Sequence, residues 1–252
     1  MEPEGGKRMT LGEHLEELRT RVVRMLLGVA AGFALAFWRI GDVMTFIRRP
    51  VDRIAASHGG DWVVLTQQRA YDAFVGSMKA AFFTGCVLAA PVIVHQIWAF
   101  VGAGLYRHER RSVKYYAMPG FVLFLAGAAL AYYYVMPFAL EFLVWWAKEK
   151  TEAKSWLNLN DYVSLIAFSM FVFGLVFQIP LIMVFLMRLG VVEPATFRRY
   201  RRHAIVAIFV LGAILTPPDV LSQVVLASCL LGLYEGAILV GARVRRPRRR
   251  EA

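Results

Sequence analysis

Cysteine is nearly missing from this 252-residue chain. Cys86 and Cys229 each lie inside an apolar segment with no His or Cys neighbour at metal-ligand spacing, so both read as small buried apolar side chains. Histidine is sparse as well, with five residues scattered without ligand spacing. The sequence holds no H-E-x-x-H, no G-x-S-x-G and no phosphate loop, so no catalytic residue, metal or cofactor is expected. Acids are the scarcer sign of charge: 18 Asp and Glu stand against 29 Lys and Arg, a formal net charge of +11. That balance would suit nucleic acid, but the bases form short clusters between apolar runs rather than one basic face, and nucleic-acid binding is excluded. Internal repeats are absent, as is low complexity before the basic tail. A cleavable signal peptide is not expected either. The first apolar run, Val22 to Trp38, is too long for its hydrophobic core and no A-x-A-like site closes it.

What the chain has in excess is apolar sequence. Fifty-eight per cent of its residues are apolar, above the roughly half usual in soluble domains, and mean hydropathy is +0.52. The pattern predicts an all-α polytopic membrane protein with six spans at approximately 22–42, 73–101, 114–138, 161–188, 203–215 and 220–240. Thr216-Pro217-Pro218-Asp219 interrupts the last apolar stretch and makes a hairpin of the fifth and sixth helices. Thirteen residues rise only about 20 Å, so the fifth helix is short for a hydrocarbon layer of roughly 30 Å. Residues 1–240 read as one membrane domain and 241–252 as a basic cytoplasmic tail.

Twenty of the 29 Lys and Arg residues fall near the N-terminus, in the segments around 102–114 and 188–202, and at the C-terminus. The positive-inside rule therefore places both termini in the cytoplasm. Two longer connections, roughly 43–72 and 139–160, are left for the outer side; the second carries Trp145 and Trp146, which suit an interface.

The polar candidates fall into two groups. Thr10 and Glu13 have capping-box spacing, and the helix they open alternates Leu11, Leu15, Leu18 and Val22 with acids and arginines. Glu17 and Arg21 are placed for an i,i+4 pair on a solvated face. Glu109 stands among Arg107, Arg110 and Arg111, either neutralising them or joining Glu17 as a receiver of guanidinium groups. Inside the apolar runs lie Gln178 next to Pro180, Glu235 in the last helix, Lys79, and His95-Gln96. Intramembrane polar groups are functional candidates, against the alternatives of snorkelling and helix–helix hydrogen bonding.

Four strings resemble the TatC family, the multispanning core of the twin-arginine protein translocase. They are His14-Leu15-Glu16-Glu17-Leu18-Arg19; Trp98-Ala99-Phe100 followed by Leu105-Tyr106-Arg107-His108-Glu109-Arg110; Phe173-Gly174 with Phe177-Gln178-Ile179-Pro180; and Leu215-Thr216-Pro217-Pro218-Asp219-Val220-Leu221-Ser222-Gln223. They occur in the family's order over about residues 9–240. The resemblance implies a cupped helical scaffold in the inner membrane that receives twin-arginine signal peptides of folded cargo. Export would be driven by the proton-motive force, with single-span TatA/TatB-type partners, self-association in a receptor complex and contact with membrane lipids. Residue by residue, it assigns Glu17, Glu109, Arg19 and Phe100 to the signal-peptide site. Thr216 and Gln223 fall where partners dock, Pro50 and Asp219 in outer loops, and Gln178 at the intramembrane polar position. Two departures stand out. Gln178 replaces a frequent Glu and cannot ionise, and Ala103 stands where proline is frequent. The competing expectation is a small-solute secondary transporter, which would call for inverted repeats that this chain lacks.

Overall fold

The computed structural model describes residues 11–57, 63–103, 107–151, 155–215 and 219–244; the side chains of 11, 103, 107–115 and 155 lie outside that description. Almost all of it is helix. The order is α1 (Leu11–Trp38), α2 (Ile40–Ser57), β1 (Val63–Thr66), α3 (Asp72–Leu88), α4 (Ala90–Ala103), α5 (Arg107–Leu130), a π-helical turn (Ala131–Val135), α6 (Met136–Trp146), a second π-turn (Ala147–Thr151), β2 (Ser155–Asn158), α7 (Leu159–Val176), α8 (Ile179–Arg188), α9 (Pro194–Arg199), α10 (Arg201–Leu215) and α11 (Val220–Val244).

Among the described residues four helical segments are long and apolar enough to cross a membrane: Gly12–Trp38, Tyr116–Thr151, Leu159–Arg188 and Val220–Val244. The pair α3–α4 makes a fifth if taken as one span, but it is bent by 53°. Pro91 explains the bend. It lacks the N–H that would bond the Val87 carbonyl, and its ring crowds that carbonyl. Pro180 breaks the fourth expected span in the same way, between α7 and α8 at Phe177-Gln178. The fifth expected span, α10, has 15 residues and a rise of about 22 Å, so it stays short.

The expected outer connections are corrected. Residues 40–57 are not loop but the amphipathic helix α2, which buries Ile47, Pro50, Val51 and Ile54 and exposes Arg48, Arg49, Asp52 and Arg53. Its polar face hides it from a hydropathy reading, while its i,i+3 and i,i+4 apolar spacing marks it as a helix. Likewise, the third span does not end near 138. Helix continues through α6 to Thr151. The remaining parts of the two connections meet as a parallel pair, with Val63 opposite Ser155 and Thr66 opposite Asn158.

Small residues set the helix crossings. A Cβ on Gly85 would lie 2.5 Å from the backbone nitrogen of Phe33, so α1 and α3 touch backbone to backbone. A Cβ on Gly127 would lie 2.5 Å from the Phe173 carbonyl oxygen, and α5 meets α7 the same way. Between these crossings sits the main core, where Ile47, Met136, Ile166, Phe173 and Leu226 are fully buried. Pro50 deprives the Phe46 carbonyl of its helical donor. The Tyr132 hydroxyl supplies the replacement at 2.6 Å, with the Phe46 and Tyr132 rings stacked 4.1 Å apart. Pro50 thus marks the seam where α2 is fastened to the π-turn that follows α5, and it lines a small cavity of about 280 Å³ with Tyr133 and Glu141.

Candidate functional site

The first turns of α1 and the second half of α4 come together at one end of the molecule. Trp98, Tyr116 and Phe185 form an aromatic cluster with centroids 5.0–5.4 Å apart, which fixes α4 against α5 and α8. From that base α4 presents Phe100, which stacks on His14 of α1 at 4.6 Å. One turn earlier on α4, Gln96 accepts a hydrogen bond from Arg21 Nη1 at 3.2 Å. These contacts hold α1 in register with α4.

Glu17 is the focus of this surface. The i,i+4 spacing does form a pair: Arg21 Nε donates to Glu17 Oε1 at 3.0 Å and Arg21 Nη2 reaches the same oxygen. Both side chains are mostly covered, at 14% and 17% exposure. The other carboxylate oxygen, Glu17 Oε2, is buried and has no hydrogen-bond partner among the described residues. A buried, unpartnered carboxylate oxygen loses hydration with nothing in return, so it is an acceptor waiting for a donor. It borders a groove of about 600 Å³ whose lining includes Glu13, Glu16, Thr20 and Arg24. Arg19 points to solvent on the same helix. Glu109 belongs to the first turn of α5, and its side chain lies outside the described residues.

The other candidates are dispersed. Gln178 lies at the broken α7–α8 junction without capping α8, and its amide instead donates to the Gly120 carbonyl of α5 at 2.8 Å, a helix–helix hydrogen bond. Glu235 pairs with Arg201 at 2.6 Å and ties α11 to the first turn of α10. Helix α11 runs on to Val244, which places Glu235 well over two turns from its end. Gln223 donates to the Phe209 carbonyl at 2.9 Å and joins the same two helices. Asp219 caps α11 through the Ser222 amide at 2.6 Å, with Oδ2 buried and without a partner among the described residues. Thr216, like Thr10, lies outside the described residues. The sequence reading missed the roles of His14 and Gln96. Position 96 stood out as polar within an apolar run, but nothing in spacing pairs it with residue 21.

Among the described residues no group of His, Cys, Asp and Glu is arranged to hold a metal ion. Several long apolar helices joined by polar ends, with an acceptor site at one end, define a multi-pass helical membrane protein. The family model described as "Sec-independent protein translocase protein (TatC)" matches residues 13–228. A TatC of Desulforapulum autotrophicum is 34% identical over 235 residues, 92% of this chain and 83% of that one. The TatCy of Bacillus subtilis is 32% identical over 232 residues, 92% and 88% of the two chains. Two crystal structures of the twin-arginine translocase receptor TatC superpose with TM-scores of 0.78 and 0.79 at 32% identity, covering 91% and 93% of this chain and 99% and 100% of theirs. The chain belongs to the TatC family of Sec-independent protein translocases. That membership sets aside the small-solute transporter.

Proposed function

We propose that this protein is the receptor subunit of a twin-arginine translocase in the inner membrane, and that Glu17 receives a guanidinium of the signal peptide's arginine pair. One observation carries the reading: among the described residues Glu17 Oε2 is buried and unpartnered beside an open groove. Its other oxygen is already held by a guanidinium, that of Arg21, so the pocket is built for this chemistry. Glu109, Arg19 and Phe100 complete the surface, Phe100 through its stack on His14.

The remaining assignments belong to the same reading. Six spans cross the membrane, with α3–α4 as the bent second and α10 as the short fifth, and both termini are cytoplasmic. Residues 1–240 form one membrane domain, cupped because α10 thins the bilayer beside it, and 241–252 a tail against anionic lipid. TatA/TatB-type helices dock near α10 and α11, close to Thr216 and Gln223, and the proton-motive force drives export of the folded cargo. The receptor complex contains further copies of this chain. Gln178 contributes hydrogen bonding but no proton, so coupling to the gradient lies elsewhere.

The test is binding of a twin-arginine signal peptide against its twin-lysine counterpart. A lysine ammonium cannot supply the planar fork. Loss of a charge-assisted hydrogen bond is worth about 1.5–3 kcal/mol, so the lysine peptide binds at least about tenfold more weakly. Equal binding of the two peptides, or binding indifferent to Glu17→Ala, overturns the reading.

A further inference from the structure

A second cavity lies on other residues than those around Glu17. It is an open groove of about 910 Å³ between α1, α3 and α7, lined mostly by apolar side chains. Three rungs fix how α3 and α7 run. The Asp72 carboxylate accepts from Asn158 Nδ2 at 2.9 Å, Lys79 Nζ donates to Ser164 Oγ at 3.1 Å, and the Phe83 and Phe168 rings meet at 5.7 Å. The two helices therefore lie side by side and point the same way, away from the β1–β2 end.

This parallel arrangement sorts the groove by depth. Asp161, in the first turn of α7, is outermost. Ser164 with Lys79 is one turn deeper. Phe82, Phe168 and, from α1, Phe33 form the floor beyond them. Among the described residues neither charge has an opposite charge beside it. Among the described residues Lys79 and Asp161 make no ion pair with each other or with any other group, and the only polar side-chain partner of Lys79 is a hydroxyl. An ammonium facing an apolar trough with a hydroxyl beside it is stabilised by an anion, and the exposed Asp161 carboxylate about one turn above it, bonded to Asn160 at 3.4 Å, is open to a cation.

We propose that this groove is a binding site for a zwitterionic aminophospholipid of the phosphatidylethanolamine type. Its ammonium sits on Asp161, its phosphate on Lys79 and Ser164, and one acyl chain lies along Phe82, Phe168 and Phe33. The order of groups in such a lipid, cation outermost, anion next and hydrocarbon deepest, is the complement of the groove read from rim to floor. Its ethanolamine linker separates ammonium and phosphate by about one helical turn, the offset between Asp161 and Ser164. A phosphatidylglycerol would satisfy Lys79 but offer Asp161 no cation. A phosphatidylcholine carries a quaternary ammonium that cannot donate a hydrogen bond to the carboxylate. An apolar helix would fill the trough and leave both charges unanswered.

The experiment is head-group competition on the full chain. The protein is placed in bilayers of equal parts phosphatidylethanolamine, phosphatidylglycerol and phosphatidylcholine, extracted in mild detergent, and the lipids it retains are counted by native mass spectrometry. The wild type retains phosphatidylethanolamine about tenfold over the other two. Lys79→Gln loses retention of all three, while Asp161→Asn keeps a lipid but loses the preference for phosphatidylethanolamine over phosphatidylcholine. Equal retention of the three by the wild type, a preference for phosphatidylglycerol, or uptake of an apolar helical peptide in place of lipid overturns the proposal. The competition needs no variant, so it stands even where a substitution prevents folding.

Discussion

Two covered acids sit at opposite ends of the molecule, and their surroundings differ. Asp72 opens α3 beside the β1–β2 pair. Its Oδ2 accepts from the Gln68 amide at 3.1 Å, the Arg69 amide at 2.9 Å and the Asn158 side chain at 2.9 Å. Asn158 in turn caps α7 by accepting from the amides of Asn160 and Asp161. One carboxylate thus fastens the turn that leads into α3 and, through one amide, holds the residue that caps α7. Among the described residues Glu17 has a single partner, from its own helix, and leaves Oε2 bare. Burial alone does not distinguish a structural acid from a receptive one. The saturation of its lone pairs does. At the β1–β2 end the Asp72 carboxylate has three donors on one oxygen, while at the α1–α4 end Glu17 keeps an acceptor in reserve.

The largest expected effect comes from removing the structural acid. Asp72→Ala strips an acceptor from two backbone amides and from Asn158, and it uncouples the starts of α3 and α7. Thermal unfolding in detergent should show a fall of about 5–10 °C in Tm. The fraction that still folds should bind twin-arginine peptide with unchanged affinity. A variant that melts like the wild type would break the contrast with Glu17.

Glu17→Ala is expected to behave in the opposite manner. It removes a group whose one described partner, Arg21, keeps its hydrogen bond to Gln96, so Tm falls less than for Asp72→Ala. Peptide affinity falls by about 1.5–3 kcal/mol, the worth of a charge-assisted hydrogen bond. Isothermal titration with the peptide measures this directly, and a large loss of Tm with unchanged affinity would make Glu17 a second structural acid.

A smaller effect is expected at the seam of α2. Tyr132→Phe keeps the ring stacked on Phe46 but removes the hydroxyl that satisfies the carbonyl freed by Pro50. The loss of stability should be about 1–2 kcal/mol in denaturant titration. Replacing Pro50 by Ala in the same background restores the helical N–H and should recover most of it. No recovery would mean that the hydroxyl acts elsewhere.

These contrasts also explain what the sequence could and could not convey. The long apolar helices were legible because bilayer crossing demands uninterrupted hydrophobicity, and the breaks at Pro180 and between α10 and α11 because proline acts locally. Helix α2 escaped notice because its signal is periodic, not hydrophobic, and the bend near Ala89 because Pro91 sits in an otherwise unbroken apolar run. Glu17 and Arg21 were legible as an i,i+4 pair, a relation within one helix. The Gln96 contact to Arg21, the Asn158 contact to Asp72 and the Lys79–Ser164 rung span 75 to 86 residues of chain. Such partners are set by how the helices pack, which spacing along one helix does not encode.

The smallest effect is expected at Glu235. Its carboxylate meets Arg201 at 2.6 Å, yet the two side chains keep 43% and 48% of their surface exposed. A pair of that kind is worth less than about 1 kcal/mol in water. Glu235→Gln retains a hydrogen-bond acceptor for the guanidinium, which reduces the loss further. Stability should therefore change by less than about 1 kcal/mol and peptide affinity not at all, since Glu17 lies on other helices. Salt titration sharpens the reading. A pair reached by aqueous ions loses its contribution between low and high ionic strength, whereas one sheltered by lipid does not. If Glu235→Gln abolishes export while both readouts stay at wild-type values, the acid is a functional intramembrane group and not the fastener that joins α10 to α11.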